Sequence, residues 1–185
     1  MITIICLTIA ILIPVAYVVG QYNGLITLRN YIKESWADID TELKRRYELI
    51  PNLVETVKGY AAHEKSVLES VITLRNQAAA NNGSVKEQCA SERKLVAGLS
   101  QLLAVVEQYP NLKANEQFLQ LQKELTHTEN RIQAARRFYN ANVRDYTNKY
   151  ESFPSNLVAQ AFHFPSVDYF EIERASREPP QVNLP

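Results

Sequence analysis

The chain has 185 residues, of which 20 are Lys or Arg and 20 are Asp or Glu, so its formal net charge is zero. This balance argues against a nucleic-acid partner, because binding to phosphates needs a basic surface that releases counterions. The two cysteines, Cys6 and Cys89, are too few and too far apart for a disulfide framework or a cysteine metal site. The length fits one domain plus a targeting segment.

The first element is an apolar segment, Met1–Gly20, that contains no Asp, Glu, Lys or Arg. A helix of about twenty residues crosses the roughly 30 Å hydrocarbon core of a bilayer, and a proline such as Pro14 is tolerated there. A cleaved signal peptide is the alternative, but no basic region precedes the segment and no small-x-small cleavage pattern follows it. The pattern predicts an uncleaved anchor at residues 1–20, with the lipid bilayer as its partner.

Basic residues follow the anchor and none precedes it. Arg29 and Lys33 come first, and the run Lys44-Arg45-Arg46 comes later. The positive-inside rule then places the N-terminus outside and the remainder of the chain in the cytoplasm. We therefore expect a single-pass protein of the inner membrane.

Beyond the anchor, mostly apolar residues recur every seven positions in two series, offset by four and three residues. The series are Leu25, Ile32, Ile39, Arg46, Leu53, Tyr60, Val67, Leu74 and Arg29, Trp36, Leu43, Ile50, Val57, Glu64, Val71, Ala78. Such spacing places both series on one stripe and predicts a helix from about Asn23 to Ala80. Pro51 must disturb it, because proline removes a backbone donor and clashes with the preceding turn.

Two arrangements at Pro51 remain open. A chain reversal there would give pieces of similar length that pack as an up-and-down four-helix bundle. The heptad register continues through Leu49–Val54, however, and this favours a kink in one long helix that stands up from the membrane.

The rest of the chain contains two longer helices and a tail. Asn81, Asn82 and Gly83 predict a turn, because these residues accept the left-handed conformation that ends helices. We expect the following helices at about Val85–Gln108 and Leu112–Tyr150, and a short amphipathic piece after Phe153 and Pro154. The expected units are an anchor at 1–20, a helical bundle at 21–164 and an extended tail at 165–185.

Several ordered motifs resemble the LemA family of bacterial membrane-anchored helical proteins, over about Tyr22 to Phe164. They include Trp36 with Asp38-Ile39-Asp40, Lys44-Arg45-Arg46, Leu49-Ile50-Pro51-Asn52-Leu53-Val54, Val57-Lys58-Gly59-Tyr60 with His63-Glu64, Tyr109-Pro110-Asn111-Leu112-Lys113, Thr128-Glu129-Asn130-Arg131-Ile132 and Ala135-Arg136-Arg137-Phe138-Tyr139-Asn140. The resemblance implies an N-terminal spanning helix followed by an antiparallel four-helix bundle. It implies no established catalytic activity.

Six residues from these motifs are candidates for partner binding or for a structural role: Lys44, Arg45, Arg46, Pro51, Asn52 and Glu64. The three consecutive basic residues would attract an acidic partner. On a straight stalk they lie about 36 Å from the membrane edge, beyond the reach of screened attraction to lipid. Arg46 also falls on the core stripe, where a charge must be paired, and Glu64 lies on the same stripe.

A metal-dependent enzyme is the alternative function, since Glu124 and His127 form a Glu-x-x-His motif and His63 is a further ligand type. Di-metal carboxylate bundles need that motif twice, with two more inward Glu residues. The register of Leu125 and Thr128 also leaves His127 pointing away from the core. We therefore expect no cofactor and no catalytic residues. The sequence favours a non-catalytic interaction or scaffold protein with unknown protein partners, and a homo-oligomer is one candidate arrangement.

Overall fold

The computed structural model describes residues 1–170, apart from the side chain of Leu7. The chain is all-α, and no strand occurs in this range. The helices, in chain order, are α1 (Ile2–Lys58), α2 (Lys65–Ala79), α3 (Val85–Val106), α4 (Pro110–Lys113), α5 (Glu116–Glu151) and α6 (Ser155–Ala161).

Helix α1 continues without interruption through Pro51 and ends at Lys58. The chain then reverses over residues 59–64, where the N–H groups of Tyr60 and Ala61 both donate to the carbonyl oxygen of Val57. The predicted single helix from Asn23 to Ala80 is therefore wrong, and a reversal at Pro51 is also wrong. The helix ends where Gly59, a weak helix former, follows Lys58.

The part of α1 beyond residue 20 forms an antiparallel up-and-down four-helix bundle with α2, α3 and α5. α5 is antiparallel to α1, since Arg131 pairs with Glu42 at 2.7 Å and Asn142 Nδ2 donates to the carbonyl of Tyr31 at 3.3 Å. α2 packs on α1, and α3 packs on α2, whereas α3 and α5 make little direct contact. Among neighbouring helices of the bundle, α3 and α5 therefore pack least closely.

The predicted stripe forms the core of the bundle up to the end of α1. Leu25, Ile39, Ile50 and Val57 are fully buried, and each such side chain contributes about 1.5–3 kcal/mol through burial. The prediction fails at Tyr60, which is 45% exposed because it lies in the reversal rather than on a helix.

The predicted turn at Asn81–Gly83 is confirmed, but the left-handed conformation expected there is not, since none of these three residues has a positive φ. α3 begins just after the turn. Ser84 Oγ accepts from the Glu87 N–H while the Glu87 carboxylate accepts from the Ser84 N–H, which forms a capping box. The predicted third helix is shorter than expected. Its first residues form the separate α4, because the Asn115 side chain caps a new start by accepting from the Phe118 N–H at 2.9 Å.

After α6, residues 164–170 run without helix along α5. The hydroxyls of Tyr146 and Tyr139 donate to the carbonyls of Pro165 and Asp168, at 2.6 and 3.0 Å, and Phe170 is buried. The remainder of the predicted tail, residues 171–185, lies outside the described residues.

Candidate functional site

A fully buried cation lies at the centre of the bundle. Arg46 occupies a core position of α1 and donates from Nη1 to Glu129 Oε2 on α5, at 2.7 Å, and from Nη2 to Glu92 Oε2 on α3. A guanidinium presents several donors in a fixed plane, so one side chain binds two carboxylates from different helices. Arg46 thus joins α3 and α5 where they make little direct contact.

Neutral donors complete the surroundings of Glu92. The Tyr47 hydroxyl donates to Glu92 Oε1, and Gln88 Nε2 donates to the same oxygen at 2.8 Å. Gln88 also reaches the carbonyl oxygen of Ala78 at the end of α2, at 3.3 Å. The network therefore joins α1, α2, α3 and α5 and leaves the Glu92 carboxylate well paired inside the bundle.

The protonation states of Arg46 and Tyr47 fit a structural role for the network. Burial lowers the pKa of Arg46, and the nearby Glu129 carboxylate opposes this effect. Burial raises the pKa of Tyr47, so its hydroxyl remains a neutral donor at physiological pH. An arginine that stays charged and a tyrosine that stays neutral do not exchange protons near pH 7. The arrangement holds the helices together.

A second polar contact explains how α1 accommodates Pro51. Proline has no N–H, so the carbonyl oxygen of Tyr47, four residues earlier, has no helical donor. Arg75 on α2 supplies one, because its Nε donates to this oxygen at 2.9 Å. The proline thus frees a backbone acceptor of α1 for a bond to the neighbouring helix.

The other predicted residues do not form one site. Lys44 and Arg45 are exposed, Lys44 pairs with Asp40 at 2.7 Å, and Asn52 is exposed. The basic run is therefore split, with two side chains in solvent and Arg46 in the core. Glu64 is not the partner of Arg46: it lies beside the Tyr109 hydroxyl, which donates to it at 3.5 Å.

Sequence reasoning missed five members of the site: Glu92, Gln88, Glu129, Tyr47 and Arg75. A signal for the first two was present, because they continue the core spacing of α3, whose members are Gln88, Glu92, Leu95, Leu99, Leu102 and Val106. Polar residues in such a series indicate partners for a buried charge. No comparable signal marks Arg75.

A groove opens between α3 and α5 next to the exposed edge of Glu129. It encloses about 360 Å³, and its lining is largely apolar, with Arg46, Val96, Leu99, Ser100, Leu103, Leu125, Thr126, Glu129, Asn130 and Gln133. Val96 is exposed, whereas Leu99 is buried. The groove is the apolar opening that the gap between the two helices leaves in the bundle.

The residues considered for a metal lie apart from this network. His63 and His127 are both exposed, and Glu124 is half-buried. Within residues 1–170, no three His, Cys, Asp or Glu side chains are grouped closely enough to hold a metal ion.

Comparison with known proteins gives one family and several relatives. The sequence model of the LemA family matches residues 35–184. Protein LemA of Metamycoplasma hominis is 27% identical over 159 residues, which cover 86% of this chain and 73% of that protein. Magnetosome protein MamQ 2 of Paramagnetospirillum magneticum is 25% identical over 89% of this chain and 70% of its own length. Magnetosome protein MamQ of Magnetospirillum gryphiswaldense is 25% identical, with coverage of 95% and 76%.

Proposed function

Because the chain belongs to the LemA family, we propose that it is a single-pass membrane protein whose helical bundle acts as a non-catalytic interaction or scaffold module. The observation that carries this proposal is the first third of α1. Its residues 2–20 are long and apolar enough to cross a bilayer, and none of that apolar stretch is buried by the rest of the protein. A helix that is apolar on every side needs an apolar environment, and lipid supplies one.

The bundle lies in the cytoplasm in this proposal, with the N-terminus outside. The basic residues Arg29 and Lys33 support this orientation, and so does Lys149, whose ammonium group packs directly on Gly24 of α1. All three lie on the bundle side of the anchor, which the positive-inside rule assigns to the cytoplasm.

Labelling of introduced cysteines tests the orientation. We would replace Cys6 and Cys89 and then introduce either Ile2→Cys or Asn82→Cys, the latter on the exposed turn before α3. In intact cells, a membrane-impermeant maleimide should label the cysteine at position 2 and leave position 82 unlabelled until the cells are permeabilised. Labelling of position 82 in intact cells would reverse the orientation.

A non-catalytic role is supported by how the buried polar groups are used. Arg46 pairs with the carboxylates of both Glu92 and Glu129 within the bundle, and residues 1–170 contain no group of three His, Cys, Asp or Glu side chains close enough to hold a metal ion. Metal analysis of the purified full chain checks this part. Stoichiometric iron, manganese or zinc that is lost in His127→Ala would overturn it.

The partners of the scaffold are other proteins or further copies of this chain. Site-specific photo-cross-linking in intact cells tests this, with the cross-linker at Val96 in the α3/α5 groove and, as a control, at the exposed Thr73 on α2. Discrete cross-linked species that depend on the position of the probe support an interaction module. Only monomeric chain at both positions would count against it.

A further inference from the structure

A second uncharged region lies at the end of the bundle from which the anchor emerges. The segment Ser152–Val167 contains no Asp, Glu, Lys or Arg. It includes α6, which packs against α1 and α5. The Phe162 ring lies 4.9 Å from the ring of Tyr22, and the Phe164 ring lies 5.5 Å from it. The region therefore lies beside Tyr22, two residues beyond the end of the apolar segment at Gly20.

This region has both buried and exposed apolar side chains. Val158 and Ala159 of α6 are buried against the bundle. By contrast, Phe153 is 80% exposed, Leu157 is 55% exposed and Phe162 is 52% exposed. We call these three residues the α6 surface. Exposed apolar clusters usually mark a binding surface.

The position of the α6 surface along the axis of α1, close to the end of the apolar segment, favours lipid as its partner. The ammonium group of Lys149, close to the end of α5, packs on Gly24 of α1. Gly24 lies four residues beyond the end of the apolar segment, a rise of about 6 Å. The headgroup layer on each side of the hydrocarbon core is about 5–8 Å thick. Phe153, which follows α5, therefore lies at headgroup level when residues 2–20 cross the bilayer.

The composition of this end also matches a membrane interface. Aromatic residues concentrate at the boundary between headgroups and acyl chains, and basic side chains next to them bind lipid phosphates. Tyr22 contributes a further ring, and Lys149 and Arg29 lie on its bundle side. The guanidinium of Arg29 is 5.7 Å from the centre of the Phe164 ring.

We propose that Phe153, Leu157 and Phe162 form a second membrane contact, in which α6 lies within the interface of the bilayer that α1 crosses. This proposal rests on the proposed membrane anchor. A single spanning helix leaves tilt and rotation to its flanking anchors. A second contact on one side of α1 fixes both, and so determines which face of the bundle is turned toward the lipid.

Tryptophan quenching in vesicles tests the contact in the full chain. Trp36 is the sole tryptophan of the sequence, so the variant Trp36→Phe with Phe153→Trp reports on the α6 surface alone. The protein is reconstituted into phosphatidylcholine–phosphatidylglycerol vesicles that carry quenchers either near the headgroup or deep in the acyl chains. We expect strong quenching, greater for the shallow quencher.

The matched control is Trp36→Phe with Phe138→Trp. Phe138 is 57% exposed and precedes Tyr139, whose ring lies 5.6 Å from that of Trp36. Phe138 therefore lies near the level of Trp36, which follows Tyr22 by 14 residues of α1. This level is about 21 Å farther from the membrane than Tyr22. Quenching at position 153 should exceed quenching at position 138 by at least about two-fold, because interfacial elements penetrate about 5–10 Å.

Vesicle flotation separates the two possible failures. Equal quenching at positions 153 and 138 in chain that floats with the vesicles would overturn the α6 contact and leave the anchor intact. Protection of position 153 from the lipid quencher together with dimers in solution would also overturn it, since a second copy would then cover the surface. Chain that does not float would overturn the proposed anchor itself.

Discussion

The bond between Arg75 and the backbone of α1 predicts that the effects of two substitutions depend on each other. In the native chain, Arg75→Met removes the hydrogen bond from Arg75 Nε to the carbonyl oxygen of Tyr47, and Pro51 has no N–H to replace it. A half-buried acceptor that loses its partner costs about 1–2 kcal/mol. In the background of Pro51→Ala, the alanine N–H takes the place of Arg75, and Arg75→Met should cost less than about 0.5 kcal/mol.

The expected coupling energy is therefore about 1 kcal/mol, and it is measured with a double-mutant cycle. The four full-length variants are unfolded with urea in detergent micelles, and loss of the bundle is followed through helical circular dichroism and Trp36 fluorescence. Arg137→Met on the exposed face of α5 serves as the control for loss of an arginine. Additive effects of the two substitutions, within about 0.3 kcal/mol, would refute the account of Pro51.

Three further predictions concern the core. Arg46→Met should destabilise the bundle by about 3–5 kcal/mol in urea unfolding, because it leaves Glu92 buried without its cation, and adding Glu92→Gln should recover most of that loss; an equal loss in both variants would contradict the pairing. Burial raises the pKa of Tyr139 from 10.0 to about 12, so the neutral form stabilises the fold up to pH 10 and this contribution, about 2–3 kcal/mol, is lost as the pH rises to 12. Tyr139→Phe should therefore lose less stability over this interval than the native chain, and parallel pH profiles would argue against it. Gly98→Ala should change stability by less than about 1 kcal/mol in the same unfolding assay, because the added methyl would lie 2.7 Å from Leu74 Cδ1, at the movable end of a half-buried side chain, and the higher helix propensity of alanine offsets the cost of that movement; a loss above about 2 kcal/mol would contradict this.

The sequence predicted the helical class, the apolar first part of α1 and most of the core. The heptad register identified Leu25, Ile39 and Ile50 as buried because burial on a helix follows its period. The turn at Asn81–Gly83 and the start of α3 were readable because turn and capping residues act locally. These features depend only on neighbouring residues.

The chain reversal after Lys58 was hidden by the same register. Val71 and Ala78 on α2 remain in phase with Val57 on α1 across the connecting residues 59–64, so the pattern looks continuous although the chain turns back. Pro51, by contrast, suggested a break at a position where α1 is continuous. A proline inside a helix costs about 3 kcal/mol relative to alanine, and the bond that offsets part of this cost comes from Arg75, which only the fold brings near.

The partners of Arg46 could not be predicted from the sequence for a similar reason, because they lie on helices that only the fold brings near. The position of Arg46 on the stripe requires a partner in the core, but the choice among carboxylates depends on which helices flank α1. Glu64 shares the stripe along the sequence, yet Glu92 and Glu129 face Arg46 because α3 and α5 lie on its two sides. Heptad position alone does not determine which helices are neighbours.

We propose that the apolar start of α1 remains on the chain and lies in a membrane. The direct measurement is the intact mass of the protein recovered from cells, taken separately from alkali-washed membranes and from the soluble fraction. We predict chain that retains Met1–Gly20 in the washed membranes. Soluble chain that has lost this segment would contradict the account.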